Sequence, residues 1–265
     1  MNHAVNEFNK RDIDFGVILG DIIDWDDIDY GKYPKQTLAK GQQTWKHKKT
    51  ILEAWSKTNF PTYLVLGNHD YYVPNEDEDG LIKPQNVYRA YGFKDKAYYD
   101  FLAKGYRFIV LDGDDHYLHY SPKHPKYQET LDFYNKFKGP QKRWWNASIS
   151  KKQQAWLIKT LDKASKAKEK VVIMCHYPIH KPDGHSLFND KEILDILDQY
   201  PNIILYLNGH NHMGDYKLMG KRHHLNLRGM QNFANSWYQL DFYQDKIKVY
   251  QAENTTKPVY ELKVN

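Results

Sequence analysis

The sequence has a single cysteine, Cys175, in 265 residues. No internal disulfide is possible, no set of thiolates can hold a structural zinc, and a reducing, cytoplasmic setting is expected. No apolar run comes close to the ~20 residues of a membrane-spanning helix, so no membrane partner is expected. A concentrated basic patch is missing as well. The net charge of +5 suits an anionic small molecule, but the lysines are scattered. Their densest group, Lys46-His47-Lys48-Lys49, lies on a helical stretch and reads as a solvated face. Nucleic acid is therefore not an expected partner. Internal repeats, heptads, low-complexity tracts and linkers rich in proline or glycine are absent, which favours one domain over residues 1–265.

Hydrophobic residues make up 41% and charged residues 27%, the balance of a globular chain. Aromatic residues reach 15%, so stacking faces are available; Tyr71, Tyr72, Trp144 and Trp145 are candidates to stack on a base. The opening, Asn2 to Arg11, carries Ala4, Val5 and Phe8 at helical spacing. A helix is predicted from about 36 to 57. Paired strands are predicted at 98–101 and 107–111, turning through Lys104-Gly105. Residues 113 to 146 read as a long surface excursion. Ser150 with Gln153, and Asn189 with Glu192, are predicted helix N-caps. The tail from about Leu225 to Val264 alternates like antiparallel strands, turning at Gln244-Asp245.

Four apolar, strand-like runs end in polar clusters. The endings are Gly20-Asp21-Ile22-Ile23-Asp24, Gly67-Asn68-His69-Asp70, Cys175-His176 and Gly209-His210-Asn211-His212. Strands alternating with helices imply a layered α/β fold, in which the carboxyl ends of the strands form one ligand-binding rim. Asp21, Asn68, His176, His210 and His212 would converge there. One carboxylate, one amide oxygen and three imidazoles make a mixed O/N donor set, which suits Mn, Fe, Zn or Co better than Ca. A carboxylate can bridge two metals, and ions ~3.5–4 Å apart clamp a phosphoryl group and activate water.

These endings resemble the calcineurin-like metallophosphoesterases, whose pattern is D-x-H, G-D-x-x-D, G-N-H-D/E, a lone His and G-H-x-H. Four of the five elements stand here in order, over roughly residues 12 to 225. The resemblance implies a β-sandwich of two mixed sheets flanked by helices, and two divalent metal ions. It implies Asp21 as the bridging carboxylate, with Asn68, His176 and His210 as the remaining ligands of one metal and His212 as a ligand of the other. It further implies that His69 contacts phosphate and protonates the leaving oxygen, oriented by Asp24. Asp70 reads equally as a supporting group or a loop carboxylate. His180, His185 and Asn211 are candidate substrate contacts.

A narrower resemblance is to the manganese-dependent ADP-ribose/CDP-alcohol diphosphatases. It rests on Gly20 to Asp24, on Val172 to Ile179, on Arg143 to Leu157, and on Gly209 to His212 followed by His224-Leu225-Asn226-Leu227. It implies hydrolysis of nucleoside diphosphate-linked small molecules by metal-activated water. The alternatives are a catalytically weak metal-binding scaffold of the same fold and a general phosphodiesterase or nuclease.

The first element, D-x-H or D-x-Q, is absent. Only eleven residues precede Asp12, and they read as helix. One of the two implied metal sites therefore has a complete ligand set, and the other keeps only Asp21 and His212. The expectation is an N-terminally incomplete domain, a first strand supplied by an oligomer or partner, or a fold closed around another strand order. What precedes Met1 would also decide whether a signal sequence alters the cytoplasmic expectation.

Overall fold

The structure is a computed structural model that describes residues 1–23, 38–71, 84–118, 120, 124–230, 232, 236–252 and 256–264. Asp24, Tyr72 and the acidic loop at 75–80 lie outside the described residues. The elements run α1 (Asn2–Phe8), β1 (Gly16–Ile18), α2 (Leu38–Trp55), β2 (Thr62–Leu64), a 3₁₀ turn (Asn68–Tyr71), α3 (Pro84–Ala90), β3 (Tyr99–Ala103) and β4 (Tyr106–Val110). They continue with α4 (Pro125–Lys136), α5 (Lys151–Lys166), β5 (Lys170–Met174), α6 (Asp190–Leu197), β6 (Ile203–Asn208), β7 (Asp215–Met219) and β8 (Arg222–Asn226). Three strands close the chain: β9 (Tyr238–Phe242), β10 (Lys246–Gln251) and β11 (Tyr260–Lys263).

A six-stranded sheet in the order β3-β4-β5-β6-β8-β7 forms the centre. Strands β4, β5, β6 and β8 are mutually parallel, and β3 and β7 add antiparallel edges. Both faces of the inner strands are covered, which is why β5 and β6 are apolar runs without alternation. On one face Ile109, Val171, Ile173, Ile203 and Tyr206 meet Val87 of α3, Leu157, Leu161 and Ala164 of α5, and Ile193 and Leu197 of α6. On the other, Phe108, Val110, Val172, Met174, Leu205 and Leu225 meet Val17 of β1, Leu240 of β9, Ile247 and Val249 of β10, and Leu262 of β11.

The fold is therefore mixed α/β, with sheets flanked by helices. Its second layer is divided, however. Among the described strands β1 pairs only with β2, in parallel, while β9, β10 and β11 form a separate antiparallel sheet.

Three expectations are corrected. Residues 113 to 146 are not a surface excursion. They include helix α4, and Asp114, Tyr117, Tyr120 and Asn146 are fully buried. These polar groups are buried because they pair with one another and with a partner distant in sequence: the Tyr120 hydroxyl donates to the Asp114 carbonyl (2.5 Å) and the Tyr177 hydroxyl to the Asp114 carboxylate (2.6 Å).

The stretch before Leu225 is also a strand, β8, parallel to β6 although it opens Arg-His-His. Those side chains are buried but paired. Arg222 Nε donates to His224 Nε2 (3.0 Å) and its NH2 group to Asp198 (2.8 Å), while His223 Nε2 donates to the Lys263 carbonyl (2.7 Å).

Of the two expected capping boxes, the one at Ser150 is half formed and the one at Asn189 is not formed. Ser150 accepts from the Gln153 amide (3.1 Å), but the Gln153 side chain turns away to the backbone of Asp112, and Asp115 takes the Ser150 amide instead (3.2 Å). Asn189 makes no side-chain cap; both its amide atoms bind the backbone of Ile149.

Replacing Ser150 with Ala removes the α5 cap and is expected to lower stability by about 1 kcal/mol. Replacing the partly exposed Ile158 on the same helix should change it by less than ~0.5 kcal/mol. Urea denaturation of both variants checks the contrast; equal losses would contradict it.

Candidate metal centre

The four polar strand endings meet where the two layers share a rim. Asp21 follows β1, Asn68 follows β2, His176 follows β5 and His210 follows β6. Asp21, His176 and His210 offer donor atoms that all lie within 4.8 Å of one another. His176 Nε2 stands 3.0 Å from Asp21 Oδ2 and 3.1 Å from His210 Nδ1.

Hydrogen bonds on the far side of each ring decide which nitrogens face the centre as lone pairs. His176 Nδ1 donates to the Leu19 carbonyl (2.8 Å), which leaves Nε2 to face inward. His210 Nε2 lies 3.1 Å from Asn146 Oδ1. The Asn146 amide nitrogen is already donating to the carbonyls of Gln141 (2.8 Å) and Gly184 (3.0 Å). Its oxygen must therefore accept from His210, which leaves Nδ1 inward. Two acceptor nitrogens 3.1 Å apart beside a buried carboxylate require positive charge between them. A proton or a divalent cation supplies it.

The electrostatics agree. Burial works against charge on His176, yet the carboxylate of Asp21 and the Leu19 carbonyl prevail and hold the imidazole up at about 9. Asp21 is held well below the usual carboxylate range, because the surrounding imidazoles overcome its burial. His210 is pushed well down, first by burial and then by His176, and is neutral. Asn68 is buried and its Oδ1 has no hydrogen-bond partner, as an amide oxygen reserved for a cation would be. One carboxylate, one amide oxygen and two inward imidazole nitrogens fit a divalent transition metal, which takes the place of the proton on His176.

The backbone is bent to hold this set. Asp21 (φ 53°) and His210 (φ 65°) both adopt the left-handed conformation that non-glycine residues avoid. Gly20 (φ 95°) and Gly67 give the rings room. A Cβ on Gly20 would lie 2.5 Å from His176 Nδ1, and one on Gly67 would lie 2.4 Å from Asp21 Oδ1. The Asp70 carboxylate then ties the loops together. It accepts the amides of Asp21 (2.8 Å), Ile22 (3.1 Å) and Gly67 (2.9 Å) and the Tyr91 hydroxyl (3.0 Å).

His69 is next to Asn68, and its amide donates to Asp21 Oδ1 (2.9 Å). His212 is not in the three-donor group among the described residues. The His185 ring lies 5.6 Å from that of His210. Asn211 Oδ1 accepts the Met213 amide within its own loop (3.2 Å). His180 is turned onto Asp215 (3.2 Å), and its ring neighbours that of His224. Tyr71 is not a stacking face: it is fully buried, with its hydroxyl on Asp112 (2.7 Å). Trp144 remains partly exposed, and Trp145 donates to the Gly184 carbonyl (2.9 Å).

Two supporting residues were not singled out from sequence. Asn146 lies inside the Arg143 to Leu157 stretch, but nothing in its spacing points to His210. Lys48, expected on a solvated basic face, is instead fully buried with Nζ donating to the His69 carbonyl (2.6 Å).

Comparison with known proteins shows the family and the fold. A family model described as calcineurin-like phosphoesterase matches residues 1–214. The manganese-dependent ADP-ribose/CDP-alcohol diphosphatase of Oryza sativa subsp. japonica is 29% identical over 240 residues, covering 82% of this chain and 69% of that protein. The protein of the same name from Arabidopsis thaliana is 27% identical over 276 residues, covering 94% and 82%. The crystal structure of a dimetal phosphatase from Danio rerio superposes with a TM-score of 0.79 at 18% identity, covering all of this chain and 88% of that one, and so shares the fold.

Mn²⁺ at a hundredfold its dissociation constant is expected to stabilise the protein by about 2.7 kcal/mol, and His210→Ala should abolish that gain. Thermal melts with and without Mn²⁺ measure both; an unchanged shift in the variant would remove His210 from the ligand set.

Proposed function

Since this chain belongs to the calcineurin-like phosphoesterase family, and is a metal-dependent hydrolase of it, we propose that it cleaves the diphosphate of nucleoside diphosphate-linked small molecules such as ADP-ribose or CDP-alcohols. The observation that carries the reading is the pair of inward lone pairs on His176 Nε2 and His210 Nδ1 beside Asp21. The names of the curated relatives support the substrate class. The chain's net charge of +5 favours an anionic substrate.

Asp21, Asn68, His176 and His210 would hold a divalent ion, and Mn is the choice the relatives' names support. When bound, such an ion polarises a phosphoryl oxygen and lowers the pKa of water. A second ion, held by Asp21 and His212, is part of the proposal.

The chain's own residues do the rest. Asp21 fixes the His69 amide, so the imidazole is rooted beside the bound phosphate. We assign His69 to contact that phosphate and give a proton to the departing oxygen, with Asp24 orienting it. Asn211 and His185 border the same rim and are assigned to substrate. His180, braced on Asp215, holds the loop after β5 against β7. Water adds to phosphorus, the P–O bond to the leaving phosphate breaks, and the proton from His69 neutralises that oxygen. ADP-ribose would yield AMP and ribose 5-phosphate.

Purified protein with Mn²⁺ is expected to hydrolyse ADP-ribose, and His69→Ala should lower kcat by about 10²–10⁴, the usual contribution of a positioned acid. Product release followed by chromatography measures both. Stoichiometric Mn²⁺ binding without turnover would instead establish a metal-binding scaffold.

A further inference from the structure

Lys48 is the least expected residue near this centre. It lies on α2, in the basic run Lys46-His47-Lys48-Lys49, and its neighbours Lys46, His47 and Lys49 are exposed. Lys48 itself is 0% exposed. A buried ammonium is costly unless it is paired and hydrogen-bonded, so a fully buried lysine requires a specific reason. Two partners supply one. Its Nζ donates to the His69 carbonyl at 2.6 Å. Its charge is also the largest favourable electrostatic influence on the buried carboxylate of Asp70.

The consequence falls on His69. Its amide is held by Asp21 Oδ1 (2.9 Å) and its carbonyl by Lys48, so both peptide groups flanking its Cα are pinned. The next residue, Asp70, is anchored by three backbone amides and a tyrosine hydroxyl. One contact comes from the loop after β1 and the other from α2. The 3₁₀ turn carrying His69 is thus clamped between the metal-binding loop and a helix outside the strand-end motifs. Small displacements of a reacting group cost large factors in rate, so such a clamp matters most for a residue that must reach a leaving atom.

We propose that Lys48 is a positioning residue for His69, fixing the histidine's backbone so that its ring meets the departing oxygen. This rests on the assignment of His69 as the proton donor. A donor matters for a poor leaving group and little for a good one. A departing phosphate monoester, with a second pKa of about 6, leaves about as readily as p-nitrophenolate, so the ratio of kcat on the phenyl ester of a nucleoside 5′-monophosphate to kcat on its p-nitrophenyl ester reads the donor's alignment, whereas general damage to fold or metal binding lowers both rates together.

The test measures this ratio, with Mn²⁺, for wild type, Lys48→Met, His69→Gln and the double variant. The ratio is expected to fall at least tenfold in Lys48→Met, further in His69→Gln, and no further in the double variant than in His69→Gln alone. A normal ratio in Lys48→Met with a lowered ratio in His69→Gln overturns the role of Lys48 and keeps that of His69. A normal ratio in His69→Gln overturns both. Equal losses on the two substrates in Lys48→Met show a structural role only and also overturn the proposal. Should Lys48→Met fail to fold, Lys48→Arg keeps the charge against Asp70 but displaces the carbonyl contact. The same fall is then expected, and a wild-type ratio overturns the proposal.

Discussion

Two imidazole nitrogens face one another at 3.1 Å, His176 Nε2 and His210 Nδ1, and each ring has its other nitrogen committed as a donor. That juxtaposition is unfavourable unless positive charge lies between them, and much of the surrounding structure exists to enforce it. Strands β5 and β6 are hydrogen-bonded neighbours, which sets the two histidines side by side at their ends. Leu19, from the other layer, holds one ring, and Asn146, from the buried segment before α5, holds the other. The left-handed backbone at Asp21 and His210 adds local strain at the same place.

The supporting shell is built from buried polar groups rather than apolar packing. Asp112 accepts from the hydroxyls of Tyr71 (2.7 Å) and Tyr88 (3.0 Å), and burial, reinforced by Asp115, pushes its carboxyl up to about 6. Asp114 accepts from the hydroxyl of Tyr177, which directly follows His176. Asp115 is ion-paired with Lys126 of α4. A network of this kind favours one arrangement, because a shift would leave further buried polar groups unpaired besides Asp114 Oδ2. The rim loops consequently rest on a rigid base, and Asp70 and Lys48 extend the same principle to the His69 turn.

The parts of this design that sequence made legible are those with strong local signals. Apolar runs buried on both faces revealed β5 and β6, and the polar clusters at their ends revealed the donors. The Lys104-Gly105 turn was legible as a glycine-containing break between two strand-like runs, and both residues adopt positive φ (48° and 83°). What sequence hid depends on partners distant along the chain. Lys48 looks like any exposed helical lysine until the His69 carbonyl, 21 residues later, is placed beside it. Strand β8 looks too polar for the interior until Asp198 and the Lys263 carbonyl receive its charges. The segment at 113–146 looks like a solvated loop until its tyrosines and aspartates are seen to satisfy one another. In each case composition was read correctly as polar, and burial followed from pairing that spacing does not encode.

The central claim is that Asp21, Asn68, His176 and His210 converge on one cation through stated atoms. Anomalous diffraction at the manganese edge, from crystals grown with Mn²⁺, tests it directly. The account predicts a peak coordinated by the Asp21 carboxylate, Asn68 Oδ1, His176 Nε2 and His210 Nδ1. A well-occupied peak elsewhere with none at this position, or coordination through His176 Nδ1 or His210 Nε2, would contradict it.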